Sequence, residues 1–117
     1  MKHQMKLKFR FFFLIQEHKK TIEMRLNDEK RQKIKVGDII EFTDLKYGGK
    51  LSVEVVGIKR FNNFKELYNN YDKKDLGYLY NEYADYKDME KYYTQEQQEK
   101  NGVLAIKIKL INDKEVE

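Results

Sequence analysis

The tetrapeptide Tyr47-Gly48-Gly49-Lys50 constrains the fold more than any other stretch of this sequence. Adjacent glycines supply the positive backbone angles that a tight hairpin needs, and apolar runs flank them on both sides. Ile39 to Phe42 and Leu51 to Ile58 are therefore expected to be strands joined as a hairpin, with Leu51, Val53 and Val55 sharing one face. Gly57 interrupts the second strand and predicts a bulge or a bend.

Further elements follow from spacing. Met5 to Lys8 predicts a short first strand, and Phe9, Phe12, Phe13 and Gln16 fall at helical spacing, giving a helix that ends near His18. Thr21 to Leu26 alternates: Ile22, Met24 and Leu26 point one way, and Thr21, Glu23 and Arg25 the other. Asn27 to Lys33 is a polar connection, and Val36-Gly37-Asp38 reads as a turn. Phe64, Leu67, Tyr68 and Tyr71 follow helical spacing behind a capping pattern of Asn63 and Glu66. Leu79, Tyr83, Tyr86 and Tyr93 extend an aromatic stripe at near-helical intervals. Thr94 and Gln97 repeat the capping pattern, Asn101-Gly102 closes that helix, and Val103 to Leu110 predicts the last strand. There Leu104, Ile106, Ile108 and Leu110 face the core, with Lys107 and Lys109 outward. Strands early and late with helices inserted before the last strand predict an α+β fold, a mixed or closed sheet with flanking helices, because regular βαβ alternation is missing.

At 117 residues the chain fits one domain, expected over residues 1 to 111, with a frayed polar tail at 112 to 117. The 40% apolar content supports a globular core, while the 38% charged content requires extensive solvated faces. Without cysteine, disulfides and thiolate metal sites are excluded. Residues 9 to 15, apolar apart from Arg10, fall well short of the roughly 18 that a membrane span needs and are wrongly flanked for a signal peptide. The cytoplasm is the expected location. A net charge of +4 permits binding to polyanions, although twenty acidic residues are interspersed among twenty-four basic ones.

Residues two apart on a strand project from one face, roughly 6 to 7 Å apart. Thr21, Glu23 and Arg25 thus form a hydroxyl, carboxylate and guanidinium row on the exposed side of their strand, with Lys20 beside its start. A carboxylate can bond a base edge, and Arg or Lys can hold phosphate. The same row would also serve as solvent-side charges pairing across the sheet. Tyrosines are numerous, nine in all, and exposed rings stack on bases. Phe64, Leu67, Tyr83 and Tyr86 read more simply as core, whereas of the adjacent Tyr92 and Tyr93 one can pack while the other faces a ligand. His3 and His18 are the only histidines and have no clustered partners, so neither a zinc site nor a histidine triad is expected. No phosphate-cradling glycine motif occurs, and no metal or other cofactor is expected.

The run Lys19-Lys20-Thr21-Ile22-Glu23-Met24-Arg25-Leu26, followed by Lys35-Val36-Gly37-Asp38-Ile39-Ile40-Glu41-Phe42, resembles the signature of ASCH domains, members of the PUA-like superfamily. Phe61 to Leu67 resembles the aromatic-rich segment of that family, and Tyr92-Tyr93 with Gly102 to Ile106 resembles its closing helix and strand. The resemblance implies a small PUA-like β-barrel with flanking helices beside a cleft, and a role in recognising RNA or a nucleotide. It places Lys20, Thr21, Glu23 and Arg25 on the cleft face with Asp38 nearby, and Tyr93 joins them as a candidate ligand contact. Some members of the family are amidohydrolases that deacetylate N4-acetylcytidine with a Lys, a Thr and a Glu. Lys20 matches the lysine, but the threonine falls three residues later, where this chain has Glu23.

A binding module for RNA or a nucleotide is therefore the leading expectation. A hydrolase acting on a modified nucleoside or RNA, with Lys20 and Glu23 as candidate catalytic residues, is the alternative. A metabolite-sensing or protein-interaction domain using the same cleft is a third. Nothing in the sequence fixes an oligomeric state.

Overall fold

The structure, a computed structural model, describes residues 1–111; the expected polar tail at 112–117 lies outside the described residues. Five strands form one sheet: β1 (Lys2–Leu7), β2 (Ile22–Leu26), β3 (Ile39–Asp44), β4 (Lys50–Phe61) and β5 (Val103–Leu110). Their order across the sheet is β1-β3-β4-β5-β2. Among the described residues only the β1–β3 pair is parallel. The helices are α1 (Phe9–Gln16), α2 (Phe64–Tyr68), α3 (Lys73–Leu76) and α4 (Gln95–Asn101), with 3-10 turns at Arg31–Lys33 and Tyr86–Lys91. The fold is α+β, and its mixed sheet curls into a half-barrel with β1 and β2 as its edges.

The hairpin forms at Gly48-Gly49, with Gly48 at φ +76°, and β3 runs antiparallel to β4. Gly57 lies at a register shift between β4 and β5, which is the bulge its position predicts. Asn63 accepts the Glu66 amide, and Thr94 and Gln97 make a reciprocal capping box.

Two apolar clusters flank the sheet. Phe12 and Ile15 of α1 pack on the inner face with Ile40, Phe42, Val53, Val55, Leu104 and Ile106. On the outer side, Ile22, Met24, Leu26, Val103 and Ala105 pack against Phe61, Phe64, Leu67, Leu76 and Met89. Alternate residues of β5 therefore feed opposite cores, which is why its sequence is apolar almost without interruption from Val103 to Ile106.

Three expectations are corrected. The first strand covers Lys2–Leu7, not Met5 to Lys8, because the parallel ladder with β3 extends from Lys2 opposite Ile39. In α1 the buried residues are Phe12, Leu14 and Ile15, while Phe9 and Phe13 are exposed. Six of the eight residues in that helix are apolar, so spacing alone could not select a face. The aromatic stripe is not a continuous helix either: α3 stops at Gly77, which takes φ +104°, and Tyr83 lies in the following loop at 83% exposure. Phe64 and Leu67 are core residues, and Tyr86 is half-buried against them. No helix among the described residues is long and apolar enough to cross a membrane.

Candidate functional site

The edges β1 and β2 do not pair with each other, so a seam remains where a closed barrel would continue its ladder. Arg25 crosses it, donating from Nη2 to the Lys6 carbonyl at 3.1 Å. A cleft of about 230 Å³ opens along this seam. Leu7, Phe11, Met24, Leu45, Met89, Tyr92 and Tyr93 supply most of its wall, and Lys6, Lys8, Lys20, Glu23 and Arg25 its charge.

Register explains why Glu23 and Arg25 face it. Glu23 lies opposite Ile106, and Arg25 opposite Leu104, on the face of β5 that enters the inner core. The expectation that this row lies on an exposed, solvent-side face is therefore corrected: Lys20 is 3% exposed and Glu23 4%. The charges also pair along β2 and not across the sheet.

Lys20 reaches the site through a turn. His18 adopts φ +60°, which lets the amides of Lys19 and Lys20 both donate to the Leu14 carbonyl, at 2.8 and 3.1 Å, and ends α1. The Lys20 Nζ then donates to the carbonyls of Ile22 (2.7 Å) and Leu76 (2.9 Å) and lies 3.5 Å from Glu23 Oε1. Three acceptors match the three protons of an ammonium group. The Phe11 ring centroid is 5.4 Å from the same nitrogen. Gly77 is required beside it, both for its backbone angle and because a Cβ there would stand 3.1 Å from Lys20 Cδ.

Glu23 is held from all sides. Its Oε2 accepts from Arg25 Nε at 3.0 Å and Nη2 at 2.7 Å, and its Oε1 accepts the Met24 amide at 3.2 Å. Burial pushes the carboxyl upward, but the charges of Arg25 and Lys20 and these hydrogen bonds outweigh it, so its pKa lies below the usual range. Burial dominates at Lys20 and pulls the ammonium down against the attraction of Glu23. At Arg25 burial is outweighed by Glu23 and, secondarily, Tyr93, and the guanidinium is pushed up. Nε and Nη2 carry its bonds to Glu23 and Lys6, and the Tyr93 hydroxyl stands beside the guanidinium.

The structure brings Lys20, Glu23, Arg25 and Tyr93 together around the cleft. Tyr93 stacks on Phe64, with centroids 5.9 Å apart and planes 19° apart. Thr21 and Asp38 lie elsewhere. The Thr21 hydroxyl donates to Asp75 at 3.0 Å and ties β2 to α3. Asp38 accepts from the N-terminal amine at 3.2 Å and the Lys35 amide at 3.0 Å, and lies 2.8 Å from His3 Nε2. Those contacts, with His3 foremost, hold its carboxyl down to about 2. They sit at the opposite end of β1 from Leu7, roughly 13 Å along the strand. Sequence reasoning missed Phe11, Leu45, Met89 and the rim lysines, which come from separate segments and meet only when β1 and β2 form the two lips of the seam. No group of three or more His, Asp or Glu residues is placed to hold a metal ion among the described residues.

A family model described as the ASCH domain matches residues 5–112. The crystal structure of the hypothetical protein PH0355 is 37% identical, with 95% of this chain and 100% of that one covered and a TM-score of 0.81. The solution structure of protein PF0455 from Pyrococcus furiosus is 36% identical, covering 96% and 99% of the two chains, with a TM-score of 0.70. ASCH from Zymomonas mobilis shares the fold, with a TM-score of 0.63 over 98% of this chain and 76% of that one at 14% identity. No curated protein is a significant match.

Proposed function

The chain belongs to the ASCH domain family, and we propose on that premise that it is an RNA- or nucleotide-binding domain that takes a base into the seam cleft. The observation that carries this reading is an ionised carboxylate, Glu23, fixed by Lys20 and Arg25 at the floor of a largely aromatic and aliphatic cleft. A carboxylate accepts from amino and imino N–H groups on base edges, and Arg25 Nη1 beside it can donate to a carbonyl or ring nitrogen. Phe11, Tyr92 and Tyr93 offer faces for stacking. Lys6 and Lys8, both exposed, stand at the mouth where a phosphate would remain in water. A cytoplasmic location goes with this reading.

Binding is favoured over the hydrolase alternative by the same geometry. A general base works best with a pKa near the operating pH, and Glu23 is held well below it. The protons of Lys20 are committed to two carbonyls and Glu23. No Ser, Thr or Cys lines the cleft among the described residues.

Arg25→Lys tests the reading with little disturbance, because it keeps a cation beside Glu23 and removes the planar fork. Calorimetric titration with the nucleoside monophosphates is expected to show affinity falling about tenfold for the preferred base, with thermal stability changing little. Equal affinity in the variant and the parent would remove Arg25 from the interface.

A further inference from the structure

The lip of the cleft continues into a second feature. Lys8 and Leu45 line the cleft, and the residues that follow each of them in the chain, Phe9 and the Lys46-Tyr47 pair, carry exposed rings just outside it. Phe9 is 39% exposed, Phe13 43% and Tyr47 69%. Phe9 meets Tyr47 edge-on at 5.1 Å and Phe13 at 6.2 Å, so the rings form one surface. We propose that this surface is a stacking platform for the nucleotides adjoining the one in the cleft, which makes the ligand a single RNA strand and not a free nucleotide. The inference rests on the nucleotide reading of the cleft.

Two observations favour a strand of nucleic acid as the occupant. The turn that carries Tyr47 is fixed: Asp44, itself buried, accepts the amides of Lys46 at 2.8 Å and Tyr47 at 3.2 Å, while its own amide donates to Gly49 across the turn at 2.8 Å. The Leu45 amide donates to the Leu7 carbonyl at 2.9 Å and fastens the turn to the cleft wall. A buried carboxylate thus fixes the backbone beneath Tyr47, the Phe9 edge meets its ring, and a preorganised turn loses little entropy on binding. The charge also fits. Lys46 Nζ lies 5.1 Å from the Tyr47 ring centroid, and Lys8 Nζ 5.0 Å from that of Tyr92. Among the described residues neither Lys8 nor Lys46 has a carboxylate partner. Aromatic faces interleaved with unpaired lysines bind single strands, whose bases stack while the phosphates are neutralised. A second copy of the chain fits less well. It would bring like charges together, and a stable interface draws on about 20–30 residues a side where this patch offers few apolar ones.

The test compares the nucleoside 5′-monophosphates with a random-sequence hexanucleotide RNA, using titration calorimetry for the former and fluorescence anisotropy for the latter. The hexanucleotide is expected to bind at least about tenfold more tightly than the best monophosphate, as one added stacked base allows. Tyr47→Ala removes about that factor from hexanucleotide binding while monophosphate affinity stays within about twofold, and Tyr47→Phe behaves as the parent. Hexanucleotide binding unaffected by Tyr47→Ala, or no tighter than monophosphate binding, overturns the platform and leaves the cleft reading standing. Failure of both ligands to bind at millimolar concentration overturns both. A parent dimer that Tyr47→Ala converts to a monomer assigns the surface to self-association instead.

Discussion

Glu23→Leu lowers the stability of the fold by about 3–5 kcal/mol, the cost of leaving buried cations without their counter-charge. Lys20 loses the carboxylate at 3.5 Å and is too buried to swing into water, and Arg25 loses two hydrogen bonds of 3.0 Å or less. Urea unfolding should show a lowered midpoint with an unchanged slope. Replacing Lys20, Glu23 and Arg25 together with Met, Leu and Met should recover most of that loss, since an apolar cluster of similar volume is often as stable as a buried ion group. The recovered protein should not bind nucleotide. A Glu23→Leu protein within 1 kcal/mol or so of the parent would mean that water screens the cluster.

The pH dependence carries the same signature. The pKa of Glu23 in the folded state is lowered from 4.5, so its contribution is complete above that value and lost as pH falls through the folded pKa. Lys20 is lowered from 10.5, so the unfolded chain holds that proton to higher pH, and stability rises as pH climbs from the folded pKa towards 10.5. In Glu23→Leu the acid component disappears. The alkaline rise grows and begins at lower pH, because the carboxylate that supported the Lys20 charge is gone.

Phe64→Ala is the other large expected effect, about 3–5 kcal/mol for emptying a fully buried aromatic site. Phe64 also supports the cleft. Its ring carries Tyr93, and its amide donates to the buried side chain of Gln98 at 3.1 Å, which fixes α2 against α4. Nucleotide affinity should therefore fall even under conditions where the variant is fully folded. Phe42→Ala is the control: it empties an equally buried site in the inner core, costs a similar amount, and leaves the lining of the cleft in place. Equal nucleotide affinity in the two folded variants would show that Tyr93 needs no support from Phe64.

Local chemistry made much of the fold legible. Two glycines specified the hairpin, Asn63 and Thr94 announced their helices, and the unbroken apolar run of β5 reflected burial on both faces. The resemblance of Lys19 to Leu26 and Lys35 to Phe42 to ASCH domains supplied the family, which residues 5–112 match. Illegible features depend on what lies opposite. A polar residue on an edge strand looks the same whether it faces water or a second edge, so the burial of Glu23 and the reach of Arg25 to Lys6 were hidden. In α1, apolar residues surround the axis and no period favoured Phe12 over Phe13. Tyr83 followed helical spacing across Gly77, whose left-handed angle breaks the helix that the spacing implied. Thr21 adjoins Lys20 in sequence and Asp38 belongs to the turn that the family resemblance placed near the cleft, yet their partners are Asp75 and the N-terminal end of β1.

The central claim is that Glu23 and Arg25 meet a nucleotide base at the seam of the half-barrel. Soaking crystals with the nucleoside monophosphates and locating the bound density tests it most directly. The expected result is a base edge within hydrogen-bond distance of Glu23 or Arg25 Nη1, its plane against Phe11, Tyr92 or Tyr93, and its phosphate towards Lys6 and Lys8. A nucleotide bound elsewhere on the surface, with the seam cleft empty, would contradict it.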